Sequence, residues 1–212
     1  MARLLGIDVG GTFTDLFYLD EATDRVGISK ASTTPRDLSV GLFNAMEKIG
    51  ISAREMDLFI HGTTIATNAI IERKGARCGL ITTMGFRDVL ELGRRDRPHV
   101  YGLYGVQEPL IPRELRLEVR ERMNFRGEVI EPLDETAVLK AGEVLQRAGV
   151  EAVVVCFLHS YANPAHERRA RELLHQLAPD WVVTLSSDLL PEFFEFERLS
   201  STTLHTYLQP MV

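Results

Sequence analysis

Two adjacent glycines near the amino terminus have the spacing of a phosphate-binding turn. Gly10 and Gly11 follow a short apolar run, Leu4 to Val9, and precede Thr12 and Thr14. Because glycine has no Cβ atom, the backbone N–H groups of such a turn can approach a phosphate closely. The threonines add hydroxyl donors. We therefore predict phosphate binding by both glycines and both threonines, with an ordinary β-turn as the alternative.

Carboxylates flank this turn on both sides. Asp8 is the last residue but one of the first predicted strand, and Asp15 follows Thr14. Mg²⁺ is usually held by one or two carboxylates and keeps several waters, so Asp8 is the expected metal ligand and a catalytic candidate. Since neighbouring side chains of a strand point to opposite faces, Asp15 need not face the same ligand.

A second polar group is predicted where a strand ends at His61 and a helix begins near Thr64. Ligands of open α/β sheets bind at the carboxyl ends of strands, and helix N-termini favour anions. We expect His61 to be a catalytic residue that contacts substrate or phosphate, and Thr63 and Thr64 to contact phosphate. Asn68, one helical turn further on, is a weaker substrate-binding candidate. The alternative is a threonine cap and a core histidine.

Charged residues of both signs follow the next predicted strand. They are Arg87, Asp88, Arg94, Arg95 and Asp96. Arg94 is the substrate-binding candidate among them. The alternative is a set of surface ion pairs, which contribute little to stability.

The elements that position these residues follow the order β-β-β-α-β-α-β-α over residues 1–92. Three strands joined by tight turns form a meander, and later strands reached through helices add parallel to it. This is the order of the ribonuclease H-like unit of actin-like ATPases. A dinucleotide-binding fold would instead place a helix directly after the first strand.

The remaining residues, 93–212, form the second predicted domain. Residues 93–112 lack periodicity and indicate a loop or a domain junction. A turn at Asn124 to Gly127 between two strand-like stretches predicts a hairpin. The alternating helices and strands that follow predict a second, smaller α/β unit.

Composition excludes several classes of protein. The chain has 212 residues, a formal charge of −6 and 45% hydrophobic residues, which argues against a nucleic-acid partner. No apolar run reaches the roughly 18 residues of a membrane span, so we expect a cytoplasmic protein. Cys78 and Cys156 lie in predicted buried strands and are interpreted as free thiols without metal-ligand spacing.

Long segments of the chain resemble the hydantoinase A/5-oxoprolinase family. The matching segments include Gly6 to Asp15, His61 to Gly75, Gly79 to Arg94 and Phe196 to Thr202. Members of this family include ATP-dependent N-methylhydantoinase, 5-oxoprolinase and the β subunit of acetone carboxylase. They are several times longer than this chain, so the resemblance implies an N-terminal part that alone binds ATP weakly and does not turn over.

The resemblance also implies a reaction. With ATP and Mg²⁺ as cofactors, phosphorylation of the amide oxygen would open a cyclic amide such as a hydantoin or 5-oxoproline. Two alternatives stay open: a subunit of an ATP-dependent ketone carboxylase, and a non-catalytic nucleotide-binding module. The expected partners are the small cyclic-amide substrate and further subunits, in a homo-oligomer or in a hetero-oligomer with a second hydantoinase-type subunit.

Overall fold

A computed structural model of the chain describes residues 1–34, 37–94, 101 and 108–209. The chain divides into two compact units, Met1–Lys74 and Gly75–Val212. The sequence instead predicts a boundary after residue 92 and a smaller second unit, and the structure differs on both points. The reason is the strand Cys78–Thr83, which pairs with strands of the second unit and not with the first sheet.

The first unit contains four strands and two α-helices. In chain order they are β1 (Arg3–Val9), β2 (Phe13–Asp20), β3 (Arg25–Ser32), α1 (Leu38–Lys48), β4 (Leu58–Thr63) and α2 (Ile65–Ile71). The sheet order is β3-β2-β1-β4. Strands β1 to β3 pair antiparallel, and β4 pairs parallel to β1. The predicted meander and the parallel addition of β4 are therefore confirmed.

Helix α1 covers one face of this sheet. Inward-facing side chains such as Leu5, Ile7 and Leu16 are at most 5% exposed. The helix begins after Asp37, whose side chain accepts a hydrogen bond from the Ser39 N–H, and it ends before Gly50 at a φ of 67°. The sequence predicts a helix from Pro35 to about Ile49 that ends at Gly50; the stop is confirmed, and the predicted start lies outside the described residues.

The second unit is built on a parallel sheet. Its elements are β5 (Cys78–Thr83), α3 (Val89–Leu92), β6 (Arg116–Val119), β7 (Arg122–Met123), β8 (Val129–Glu131), α4 (Glu135–Arg147), β9 (Ala152–Cys156), α5 (Ala165–Leu177), β10 (Val182–Leu185), α6 (Ser186–Leu189) and α7 (Glu195–Leu208). The strand order is β10-β9-β5-β6, and all pairs are parallel. Strands β7 and β8 form the predicted hairpin.

The centre of the second sheet is covered on both faces. Every residue of β5 and of β9 is buried, as expected for central parallel strands between layers of helices. Helix α4 approaches β5 closely at Gly79, where an added Cβ would lie 2.6 Å from Leu145 Cδ2. The described residues thus form an α/β protein with one mixed sheet, one parallel sheet and a small antiparallel hairpin.

Candidate phosphate-binding site

The turn between β1 and β2 is closed by one backbone hydrogen bond. The Gly10 N–H donates to the Phe13 carbonyl at 2.9 Å, and a Cβ on Gly10 would lie only 3.0 Å from that oxygen. Glycine at position 10 is therefore required by the close approach of the backbone. At the exposed tip, the N–H groups of Gly11 and Thr12 donate to no described residue. These two donors are the ones open to a ligand.

Two threonines, the half-buried Thr33 and the buried Thr14, support the turn on its core side. Thr33 Oγ1 donates to the Gly10 carbonyl at 2.8 Å, and the Thr33 N–H donates to the Thr12 carbonyl at 3.0 Å. Thr14, which is fully buried, shares a hydrogen bond of 3.1 Å with the Thr33 hydroxyl. The sequence predicts that the Thr14 hydroxyl contacts phosphate. In the structure this hydroxyl is buried and faces the core under α1. Thr33 was not predicted; its only sequence signal is its place at the end of the third strand.

The start of α2 lies beside the same turn. Thr63 Oγ1 donates to the Val9 carbonyl at 3.0 Å and accepts from the Ile65 N–H at 3.3 Å. Thr64 has no side-chain capping bond, and its Oγ1 lies 3.9 Å from an ideal Cβ built on Gly10. Thr63 therefore holds β4 to β1 and caps the helix, while the Thr64 hydroxyl borders the turn.

Asn68 is the second polar group from α2 at this turn. Its Nδ2 lies 3.5 Å from an ideal Cβ built on Gly11. An amide at this place can donate to a ligand that sits on the tip of the turn. The structure thus places Asn68 next to the glycines, where a residue that binds substrate or phosphate at this turn would have to lie.

Asp8 lies on the solvent-exposed face of the sheet at the same end. It pairs in register with Asp15 on β2 and with Gly62 on β4, so both carboxylates share one face. Lys30 makes an ion pair with Asp15 at 3.2 Å, whereas Asp8 makes no ion pair with another described residue. The carboxylate of Asp8 therefore keeps its coordination capacity.

The donor set is compatible with Mg²⁺ bound together with phosphates. One exposed carboxylate, beside N–H groups that donate to no described residue, suits a cation that takes few protein ligands and retains its waters. Among the described residues, no cluster of three or more His, Cys, Asp or Glu could hold a metal by itself. A metal at Asp8 would consequently depend on the phosphates of a nucleotide for further ligands.

His61 does not lie with Asp8. Its register partner on β1 is Ile7, so its side chain points to the face of the sheet opposite to the one that carries Asp8. The imidazole is exposed and its ring centroid lies 6.2 Å from that of Phe59. The sequence predicts that Asp8 and His61 are both catalytic residues. The register of β1 and β4 places their side chains on opposite faces of the sheet.

The charged residues after β5 are engaged in ion pairs. Arg94 belongs to the second unit, and its Nε donates to Glu197 at 2.6 Å. Arg113 donates to both oxygens of Asp88, at 2.9 and 3.0 Å, and this hydrogen bonding holds the pKa of Asp88 below its usual value. Arg87 lies 3.8 Å from Glu118. These contacts agree with the ion-pair alternative; Arg95 and Asp96 lie outside the described residues.

A buried polar network in the second unit was not predicted. Arg198 is fully buried, and its Nη2 donates to the Phe157 carbonyl at 2.8 Å. The buried carboxylate of Glu167 accepts from the Phe157 N–H at 2.9 Å and from Ser186 Oγ at 2.6 Å. The backbone of Phe157, just after β9, therefore donates its N–H to the Glu167 carboxylate and accepts at its carbonyl from the Arg198 guanidinium. The only sequence signal was the position of Arg198 in a family-like segment.

Comparison with known proteins identifies the family. Fold and site define an α/β protein with a glycine turn open to a ligand at the end of a mixed sheet. The sequence model described as the hydantoinase/oxoprolinase N-terminal region matches residues 4–178. The chain belongs to this family, whose ATP-dependent enzymes include subunits of caprolactamase and of acetone carboxylase.

Individual relatives match along almost the whole chain. The γ subunit of acetophenone carboxylase from Aromatoleum aromaticum is 38% identical over 97% of this chain and 31% of its own length. The nucleotide-free structure of acetone carboxylase gives a TM-score of 0.87 at 31% identity, over 99% of this chain and 32% of that one. The ATP-dependent caprolactamase of Pseudomonas jessenii gives 0.81 at 36% identity, over 98% and 31%.

The relatives are longer than this chain, and some of them are subunits. The chain spans about a third of the length of these relatives. Some of them are named as subunits, so related proteins work in assemblies of several chains. Within the part of the chain that the structure describes, no helix is both long and apolar enough to cross a membrane.

Proposed function

We propose that this chain is the N-terminal part of an ATP-dependent enzyme that opens a cyclic amide, and that its first turn binds the nucleotide phosphates. The observation that carries the proposal is the exposed tip of the turn, where the N–H groups of Gly11 and Thr12 donate to no acceptor among the described residues. The similarity to an ATP-dependent caprolactamase supports it, because caprolactam is a cyclic amide.

The roles of the residues follow from their positions. Gly11 and Thr12 donate backbone N–H groups to phosphate oxygens, and Gly10 closes the turn that presents them. Thr64 and Asn68 border the turn and donate from their side chains. Asp8 orients the Mg²⁺ that accompanies the nucleotide, and the metal supplies charge neutralisation there. His61 and Arg94 remain proposed substrate contacts, which the rest of the longer protein would have to complete.

The reaction needs ATP because the amide is a poor electrophile. The amide oxygen attacks the terminal phosphorus and the bond to ADP breaks. Water then adds to the activated carbon and the ring C–N bond breaks, which gives a free amine and an acyl phosphate; a second water hydrolyses the acyl phosphate to carboxylate and phosphate. Overall, one cyclic amide, one ATP and two waters give ADP, phosphate and the ring-opened amino acid. The protein contributes mainly by positioning the reactants and stabilising charge.

A second function is favoured by the carboxylases among the relatives. Acetone carboxylase gives the TM-score of 0.87, and the acetophenone carboxylase subunit is 38% identical. On this alternative the same phosphate site would serve the activation of another substrate in a ketone carboxylase, together with partner subunits. A non-catalytic nucleotide-binding module is the third possibility.

The experiment is a phosphate-release assay on the complete protein with its co-expressed subunits. Substrates are hydantoin, 5-oxoproline, caprolactam, and acetone or acetophenone with bicarbonate. Release that depends on a cyclic amide supports the proposal, release that depends on a ketone supports the carboxylase, and no stimulated release supports the binding module.

Variants of the same protein test the phosphate site. Asp8→Asn is expected to lower stimulated release by about a hundredfold or more, a magnitude typical of lost transition-state stabilisation by one group. Asp180→Asn, at an exposed carboxylate of the second unit, is the matched control and should not change the rate. Unchanged activity in Asp8→Asn would contradict the assigned role.

A further inference from the structure

The sequence of β4 is typical of a buried strand, but the structure leaves it exposed. Leu58, Phe59 and Ile60 are consecutive apolar residues in a strand that pairs parallel to β1. Such continuous runs are characteristic of parallel strands covered on both faces. Here all six residues of β4 are exposed, with Leu58 at 49%, Phe59 at 47% and Ile60 at 60%. Something outside the described residues is needed to bury them.

The exposed apolar surface extends from β4 across the whole first sheet. In register, Ile60 lies beside Gly6, Gly6 beside Phe17, and Phe17 beside Ile28. A second row of register partners runs parallel to it. We call the two rows together the bare face; its residues are Leu4, Gly6, Phe17, Leu19, Val26, Ile28, Leu58 and Ile60.

The bare face does not have the composition of a solvated sheet surface. Outward positions of a half-buried sheet are normally polar. On the bare face, Ile28 is 76% exposed, Val26 is 55% exposed and Phe17 is 47% exposed. Charged side chains on this side begin only in the row next to the turn, with Lys30, Asp15 and Asp8. A contiguous apolar patch rimmed by polar residues marks an interaction surface.

The outer edge of β4 is also open. It is the last strand in the order β3-β2-β1-β4, so its outward backbone groups pair with no other described strand. An exposed apolar edge strand is a template for a further strand. The edge and the bare face meet at Leu58 and Ile60, which belong to both.

We propose that the bare face and the β4 edge are a docking surface for a further segment of the same longer polypeptide. In the acetophenone carboxylase subunit, acetone carboxylase and caprolactamase, the region that matches this chain makes up about a third of the protein, so two thirds of polypeptide accompany it. The segment adds a strand beside β4 and lays apolar side chains over Phe17, Ile28 and Ile60. This inference does not depend on the phosphate site.

Hydrogen exchange on two forms of the chain tests the proposal. One form is the 212-residue chain alone. The other is a fusion in which the chain replaces the matching third of caprolactamase subunit alpha of Pseudomonas jessenii, to which it is 37% identical. In the fusion, the amides of Leu58–Thr63 should exchange about tenfold more slowly, or slower still, than in the chain alone.

Matched variants assign the protection to the docking surface. Ile60→Lys, on the bare face, should abolish the slowing. Phe43→Lys, which replaces a 55% exposed aromatic residue of α1, should leave it intact. Should the fusion fail to fold, the separately purified remainder of the caprolactamase subunit is added to the chain, and the same two variants are compared.

Three results would overturn the proposal. The first is equal exchange of β4 in the presence and absence of the added polypeptide. The second is equal behaviour of Ile60→Lys and Phe43→Lys. The third is a concentration-dependent dimer of the isolated chain that already protects β4, which would make a second copy the occupant.

Discussion

At the turn between β1 and β2, backbone groups supply the donors and side chains supply the support. The hydroxyls of Thr14 and Thr33 are used to hold the turn, and only the N–H groups of Gly11 and Thr12 point to no described acceptor. A site built from backbone donors tolerates changes of side chain at the tip. It does not tolerate a change that shifts the backbone at Gly10.

Gly10→Ala should therefore destabilise the first unit. The added Cβ would lie 3.0 Å from the Phe13 carbonyl, and the turn must open to relieve this contact. We expect a loss of about 1–3 kcal/mol in the free energy of unfolding, measured by urea denaturation. Gly11→Ala is the matched control, because the nearest described atom to its Cβ would be Asn68 Nδ2 at 3.5 Å, an ordinary contact distance. Equal losses for both variants would contradict this description of the turn.

The buried pair around Phe157 gives a second prediction at the residue scale. Arg198→Met removes the donors to the Phe157 and Glu192 carbonyls and leaves these acceptors without that partner. We expect a loss of about 2–4 kcal/mol in the free energy of unfolding, because buried acceptors lose charge-assisted hydrogen bonds. Arg168→Met, at an exposed position of α5, should change stability by less than about 0.5 kcal/mol. A small effect of Arg198→Met would show that the network does not stabilise the fold.

At the scale of elements, local patterns were predictable and long-range partners were not. The meander, the turn at Gly10 and the stop of α1 at Gly50 depend on neighbouring residues, and the sequence predicts each of them. The partner of β5 depends on residues some seventy positions away, and an apolar run suits any central parallel strand. The separation of Asp8 from His61 likewise follows from the register of β1 and β4, which no single segment encodes.

The segment after β5 gives an element-scale prediction with a pH dependence. The Arg113 hydrogen bonds, helped by the charges of Arg87 and Arg116, hold the pKa of Asp88 below its ordinary value of 3.8. The folded state therefore stabilises the ionised carboxylate. This contribution is present above pH 3.8 and disappears as the pH falls through the lower folded-state pKa.

Asp88→Asn should accordingly be less stable than the parent chain at neutral pH, by no more than about 1 kcal/mol, because the carboxylate is partly exposed. The difference should shrink towards zero below pH 3.8, as measured by urea unfolding at a series of pH values. A difference that stays constant into strong acid would show that the ion pair with Arg113 is not its cause.

At the scale of the whole molecule, two units are each built around a separate core. The first core lies between α1 and one face of the mixed sheet, and the second surrounds the parallel sheet. The second core contains both cysteines, which are buried and free as the sequence predicts. The first unit has a bare apolar face, which is the surface that we propose further polypeptide covers.

The thiols report on the integrity of the second core. Burial raises the pKa of Cys78 to about 12 and that of Cys156 to about 11, so neither forms the reactive thiolate near neutral pH. In the native chain we expect almost no reaction with 5,5′-dithiobis(2-nitrobenzoate) at pH 8 within minutes, and two thiols per chain after denaturation. Rapid labelling of either thiol in the native chain would contradict the burial of β5 or β9.

The most direct test of the central claim is a titration of the ¹⁵N-labelled chain with Mg·ATP, followed by amide chemical shifts. The method detects weak binding, which is what a chain spanning a third of its relatives is expected to show. We predict shift changes concentrated at the amides of Gly11 and Thr12 and at the Asn68 side chain, and much smaller changes with Asp8→Asn. Changes centred elsewhere, or none at millimolar nucleotide, would contradict the assignment of this turn as the phosphate site.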